Sequence, residues 1–426
     1  MMEKKLYDNY LNLLKVELVP ALGCTEPIAL AYGAAKARKV LGDMPEKIDV
    51  WCSGNIIKNV KGVKVPNSGG MKGVEAAVIL GAVGGNGEKS LEVLESINDE
   101  HREKTRELLN SQFCNCFLRE GVSNLFIEIH ANKGSDKVIV VIENAHTNIT
   151  LIEKNGEKLY ENNDTYKELV SDKSMLNIED IVDFANCVLI SDVEDVLAYQ
   201  MECNLAISDE GLKNDWGVMA GKTILEENGD SIKWRAVARA AAGSDARMSG
   251  CSMPVVINSG SGNQGMTCSL PVIEYAKGHG IDQEKLYRAL CVSNLIALDQ
   301  KKYIGSLSAY CGAVCAAAGA GAAITYLQGG TVEQVGNTVV NTIANVGGMV
   351  CDGAKASCAS KIASALDAAF LGSRMALKDV TFESGDGLVM DSAEDTIKSI
   401  GHMAKAGMAQ TDVEILKLMI GQTELS

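Results

Sequence analysis

From about Ile178 to the C-terminus the sequence runs almost wholly at helical spacing in Ala, Gly and Met, and this most narrows what the chain can fold into. Aromatics make up only 5% of the 426 residues. Helices so poor in large side chains must pack through aliphatics and small residues, backbone close to backbone. Gly-rich stretches at 242–243, 258–265, 347–353 and 383–387 read as the joints between them. The longest apolar stretch, Ala313 to Leu327, is interrupted by glycine and falls short of the ~20 residues of a membrane span. It reads as a buried helix.

The first 175 residues have a different texture. Residues 3–20 carry Leu6, Leu11, Leu13, Leu14, Val16 and Leu18 at helical spacing, and a second helix starts near Pro27, with Thr25 placed to cap it. KIDVWCS at 47–53 alternates like a strand. From Leu125 to Ile152, LFIEIHA, KVIVVIENA and NITLIEK form β-rich runs joined by KGSD and HTN turns. They predict a small antiparallel meander. Residues 155–180 are polar and read as a loop crossing to the next part. The expected architecture is α+β: an N-terminal α/β part over 1–175 with the meander, and a mainly helical part over 176–426.

The net charge of −15 argues against nucleic acid and anionic membrane surfaces as partners, because both need a basic face. The N-terminal stretch is broken by charge every few residues, so it predicts neither a signal peptide nor a span. The chain has 13 cysteines. An odd number without a leader points to reduced thiols in a reducing compartment, hence the cytoplasm. A homo-oligomer is compatible with all of this.

Three segments concentrate chemistry. Cys311 and Cys315 lie in AYCGAVCAAAGAG, and Cys351 and Cys358 in the Gly-rich, Asp-containing GGMVCDGAKASC. Thiolates in such a loop are bounded by backbone N–H groups that lower their pKa and can donate to cluster sulfur. Read alone, the four also fit buried structural cysteines. Zinc has little support, because no C-x-x-C pair or neighbouring His is present. Second, ALGCTEP at 21–27 sets Cys24 at a helix start, which favours a thiolate or a bound anion; taken alone, an ordinary capping turn with Thr25 as cap and Glu26 complementing the dipole is the plainer reading. Third, a β-branched run leads into Asn258, Ser259, Gly260, Ser261, Gly262, Asn263, Gln264 and Gly265 and then into a helix. Amides at such a start suit a carboxylate, and a tight interhelical turn is the plainer alternative. Ser68 in PNSGGMKG and Asp386 in SGDGL are weaker pocket candidates. The five histidines, at 101, 130, 146, 279 and 402, form no metal-ligand pair at helical spacing and read as surface or structural.

Together ALGCTEP, INSGSGNQG and the CGAVC…VCDGAKASC spacing resemble the L-cysteine desulfidase family, which is related to the catalytic α part of the iron–sulfur L-serine dehydratases. The likeness to the desulfidases spans nearly the whole chain; to the dehydratases it is clearest over about 250–415. The resemblance implies a 4Fe–4S cluster held by Cys311, Cys351 and Cys358. The interval between the last two is shorter than in the dehydratase loop. Cys315 matches a dehydratase position that is not a ligand. Cys24 is implied as the base or as a fourth, resting-state ligand, and both roles stand at this point. The implied activity is elimination from a small amino acid: L-cysteine to pyruvate, ammonia and sulfide. Its carboxylate would rest on 258–265. An L-serine or L-threonine dehydratase and a non-catalytic cluster sensor are the alternatives.

Overall fold

The computed structural model describes residues 2–162, 172–305 and 308–421, and the fold is α+β. A short ribbon pairs β1 (Pro20–Leu22) antiparallel with a distant β8 (Pro254–Val256). The other strands form one sheet in the order β3-β2-β4-β5-β6-β7. They are β2 (Lys47–Cys52), β3 (Cys114–Leu118), β4 (Phe126–Lys133), β5 (Asp136–Glu143), β6 (Ile149–Lys154) and β7 (Glu157–Glu161). Only β2 and β3 run parallel. The antiparallel run from β4 to β6 is the meander, and it gains β7, which had read as loop. Every β7 residue is exposed, so this edge strand lacks the alternation that marks a half-buried one. Residues 163–171 of that expected loop lie outside the described residues.

The helices of the first part are α1 (Lys4–Glu17), α2 (Thr25–Leu41), α3 (Gly54–Lys61), α4 (Val74–Gly84) and α5 (Asp99–Asn110). Ile28, Leu30 and Ala34 of α2 pack against the buried face of the sheet, with Ile48, Val50, Ile129 and Val140. Helix α1 behaves differently. Tyr10, Leu13 and Leu14 are fully buried in the second core, beside Phe184 and Leu197. Burying a Leu side chain stabilises by about 1.5–3 kcal/mol, so these contacts fix α1 on the helical part. Tyr10 to Ala21 thus place their apolar face in the core of the helical part.

The second part comprises α6 (Ile178–Cys187), α7 (Ile190–Lys213), α8 (Ala220–Asn228), α9 (Ile232–Met248), α10 (Gly262–Gly278), α11 (Gln283–Ile304), α12 (Gly312–Leu327), α13 (Val332–Val346), α14 (Cys358–Ala376), α15 (Ala393–His402) and α16 (Ala409–Ile420). Small residues set its spacing. A Cβ at Gly319 of α12 would stand 2.4 Å from the carbonyl oxygen of Ser293 in α11, so these helices meet backbone to backbone. Gly243, expected in a joint, lies inside α9, where a Cβ would approach Met266 Sδ of α10 to 2.7 Å. Its role is close approach, which reads in sequence like a break. Helix α16 returns to the first part: Asp412 pairs with the buried Lys58 of α3, and Leu416 fills the space left by Gly54. Among the described residues no helix is long and apolar enough to cross a membrane.

Candidate active site

The two parts meet around a cavity of about 770 Å³. Cys24, Cys311, Cys351 and Cys358 all line it, although Cys24 lies far from the others in sequence. A more open cleft of about 940 Å³ between α2, α4 and α5 is lined by Lys39, Glu88, Glu103 and Lys104 and contains no thiol.

Local backbone structure explains the convergence. Tyr310 and Val350 form an isolated antiparallel bridge. The Cys311 N–H donates to Met349 O at 3.0 Å and the Cys351 N–H to Ala309 O at 2.6 Å, which sets the two thiols side by side. Cys311 is the N-cap of α12 and Cys358 opens α14, so the positive ends of both helices face the site. Between Cys351 and Cys358 the loop lies against α3. Gly353 there has φ +96°, and a Cβ would stand 2.4 Å from the carbonyl oxygen of Lys58, so only glycine fits.

The electrostatics favour a metal-binding thiolate. A hydrogen bond from Cys311, the Lys58 charge, the Gly353 N–H and the Lys361 charge hold the Cys351 thiol below its usual range despite burial. Cys311 keeps the shared proton, and that hydrogen bond together with burial pushes it up. Burial also raises Cys358. Among the described residues no three Cys, His, Asp or Glu side chains close around a single metal ion. Cluster thiols stand farther apart than the ligands of one ion, because each binds a different iron. Three thiols lining one cavity, with the Lys58 and Lys361 charges acting on Cys351, are a donor set that fits a cysteine-ligated cluster. Cys315 is fully buried off the cavity, its carbonyl accepting from Gln300.

Cys24 forms a patch with Val63 and Met248, with Ala354 and Cys358 packed against it. It is the N-cap of α2 but makes no side-chain cap hydrogen bond. Thr25, expected as the cap, is the first helical residue, and its hydroxyl donates to Gly260 O at 3.0 Å. The Cys24 thiol donates to Glu26 Oε2 at 3.0 Å. Burial and the Glu26 charge push its pKa well up. A protonated thiol is a poor base, so this environment speaks against the basic role weighed for Cys24. Glu26 also accepts from Asn59 Nδ2 at 2.9 Å. Burial alone would raise Glu26, but His146, the Cys24 hydrogen bond and Arg247 hold it below the usual carboxylate range.

The 258–265 segment forms a tight turn. Asn258 and Ser261 exchange backbone hydrogen bonds of 3.1 and 3.0 Å. Ser259 and Gly260 both have positive φ, +50° and +74°, as a two-residue type I′ turn requires. Ser261 caps α10, accepting from the Gln264 N–H. Ser259, Gly260, Ser261, Asn263 and Gln264 line the cavity. Asn258 does not: its amide donates to Asn294 O and Oδ1 at 3.2 and 3.1 Å and ties the turn to α11. Gly262 serves as a floor, since a Cβ there would meet Arg247 Nε at 2.5 Å. Ser68 lies elsewhere, in a cleft of about 420 Å³ with Arg102 and Arg106. Its buried hydroxyl donates to Met71 O at 3.2 Å. Asp386 caps an exposed turn, accepting from Glu383 N at 3.0 Å.

Sequence reasoning missed three polar groups on this cavity. His146, from the β5–β6 turn, presents a buried Nε2 without a hydrogen-bond partner. Burial pushes its pKa below the usual value, against the pull of Glu26. Arg247 enters from α9 with an unpartnered Nε, and Tyr310 with an unpartnered Oη. A single His in a turn and an Arg in an Ala-rich helix carry no spacing signal; only packing of the two parts brings them together.

Against this geometry, the serine dehydratase alpha chain family model matches residues 88–417. The chain belongs to that family. It is 51% identical to a UPF0597 protein of Lachnoclostridium phytofermentans, over 97% of this chain and 100% of the relative. A UPF0597 protein of Finegoldia magna is 50% identical over 97% and 99%. One from Treponema denticola is 47% identical over 98% and 99%. The family makes the chain a lyase of dehydratase type.

Proposed function

We propose that the chain is an iron–sulfur lyase that eliminates sulfide from L-cysteine, giving pyruvate, ammonia and hydrogen sulfide in a reducing cytoplasm. The observation that carries this reading is the meeting of Cys311, Cys351, Cys358 and Cys24 on one cavity, facing the 259–264 turn. Cys311, Cys351 and Cys358 would hold a 4Fe–4S cluster, with Cys24 beside its open position. When bound, the cluster supplies a Lewis-acidic iron that polarises the bond from Cβ to its leaving group, and soft iron suits a thiolate.

The chain's own groups supply the rest. Ser259, Ser261 and Gln264 hold the substrate against the start of α10, with the Gln264 Oε1 free to accept a hydrogen bond. His146 takes the α-proton on its unpartnered Nε2, in place of Cys24. Cys24 would stand beside the cluster as its candidate resting ligand, its thiol held by the hydrogen bond to Glu26. Release of sulfide leaves aminoacrylate, which hydrolyses to pyruvate and ammonia in water.

A second reading, elimination of water from L-serine or L-threonine, is favoured by the family match. Anaerobic reconstitution and assay of pyruvate and sulfide from both amino acids separates the two. The desulfidase reading expects L-cysteine to be turned over much faster than L-serine; equal or reversed rates support the dehydratase.

A further inference from the structure

Among the described residues lining the cavity, the buried Arg247 and the buried Glu26 make no ion pair with each other. Arg247 is 3% exposed and Glu26 is 8% exposed. The Arg247 guanidinium makes one long hydrogen bond, from Nη1 to Asn263 Oδ1 at 3.3 Å, and its Nε makes none. Among the described residues no carboxylate lies within ion-pair distance of it. The Glu26 carboxylate accepts only from neutral donors, Cys24, Thr25 and Asn59, and likewise has no cation at ion-pair distance. The two charges sense each other and both bias Cys24. Both side chains line the cavity.

Taking an ion out of water costs several kcal/mol unless a counter-charge repays it. A protein that needed these two only for stability would let them touch. Lining one cavity without an ion pair between them, they offer a positive group and a negative group to a ligand. Gly262 permits this, because any side chain there would displace Arg247.

We infer that Arg247 and Glu26 form a receptor for a zwitterion, Arg247 taking the α-carboxylate and Glu26 the α-ammonium of a small amino acid. The inference rests on the lyase reading and deepens it by naming the groups that select an α-amino acid over a hydroxy acid or an amine. It also shifts carboxylate binding from the 258–265 amides alone to a charge-assisted hydrogen bond from Arg247. Arg247 is well suited, since its planar fork matches a carboxylate in a way that a lysine would not.

The test uses the reconstituted full chain under anaerobic conditions and reads binding by calorimetry. L-alanine is the probe, because it has no β-leaving group and stays intact. L-lactate lacks the ammonium and L-alaninamide lacks the carboxylate. The native chain is expected to bind L-alanine at least tenfold more tightly than either. Arg247→Gln is expected to abolish the preference over L-alaninamide, and Glu26→Gln the preference over L-lactate, with Arg247→Lys recovering part of the loss. Equal affinity of the native chain for all three probes overturns the receptor, whether or not any variant folds. Selective L-alanine binding without turnover of L-cysteine or L-serine supports the receptor and removes the lyase reading instead.

Discussion

The docking of the cysteine loop on α3 has one fixed point, Gly353, and Gly353→Ala probes it. The residue has φ +96°, and its new Cβ would stand 2.4 Å from the Lys58 carbonyl oxygen, which is backbone. A non-glycine residue in left-handed backbone costs about 1–2 kcal/mol. Forcing an extra carbon into a packed site costs about 1–3 kcal/mol more. The sum, about 2–5 kcal/mol, acts on the loop rather than on either core. At a factor of ten per 1.4 kcal/mol, the docked state of 351–358 loses roughly thirtyfold or more relative to undocked states. Cys351 would then lose the Gly353 N–H and the Lys58 charge that favour its thiolate. Anaerobic iron and sulfide analysis after reconstitution is expected to show most of the cluster missing. Thiol-reagent kinetics on the metal-free chain should show faster labelling of Cys358 and slower labelling of Cys351. Thermal unfolding should move by only a few degrees, because the strain is local. A Gly353→Ala chain with a full cluster and native labelling would refute the argument that this loop must dock on α3.

Three further outcomes follow from the cavity. His146→Asn should lower kcat by about 10²–10⁴, the usual contribution of a general base, while L-alanine binding persists. The native rate should fall as pH drops through the lowered His146 pKa, because the protonated ring is no base. That limb lies below the ordinary histidine value of about 6.5 and should be absent in His146→Asn; a limb unchanged in the variant would exclude His146. Tyr310→Phe removes a buried hydroxyl that has no partner, so Tm should hold or rise while kcat/KM falls; a large loss of Tm would mean the hydroxyl is structural. Gln264→Ala should raise the KM for the amino acid several-fold, matching one hydrogen bond of about 0.5–1.5 kcal/mol, and unchanged KM would remove Gln264 from the binding wall.

The sequence was readable where one physical signal dominated. The meander announced itself through β-branched runs and turn residues, and the start of α10 through its crowded Gly, Ser and Asn. Cys311 and Cys351 could be paired by resemblance, yet the reason they meet is the Tyr310–Val350 bridge, a long-range contact that leaves no periodicity. Glycine misled at 243, where close helix packing and a chain break look alike in sequence. Strand β7 was hidden because its residues are all exposed and show no alternation. Arg247 and His146 were hidden for the opposite reason: their meaning comes from an unpartnered Nε and an unpartnered Nε2 on one cavity, which only the assembled cores create. Ser68 was overvalued, since its hydroxyl serves its own turn.

The central claim is that Cys351, with Cys311 and Cys358, holds the cluster that eliminates the β-substituent. Its most direct test is anaerobic reconstitution of the native chain, Cys351→Ala and Cys315→Ala, measuring bound iron and pyruvate formed from L-cysteine on the same samples. The native and Cys315→Ala chains are expected to bind about four irons and to release pyruvate, and Cys351→Ala to do neither. Pyruvate release by Cys351→Ala at the native rate, or a native chain that binds the cluster and leaves both L-cysteine and L-serine intact, would contradict the account.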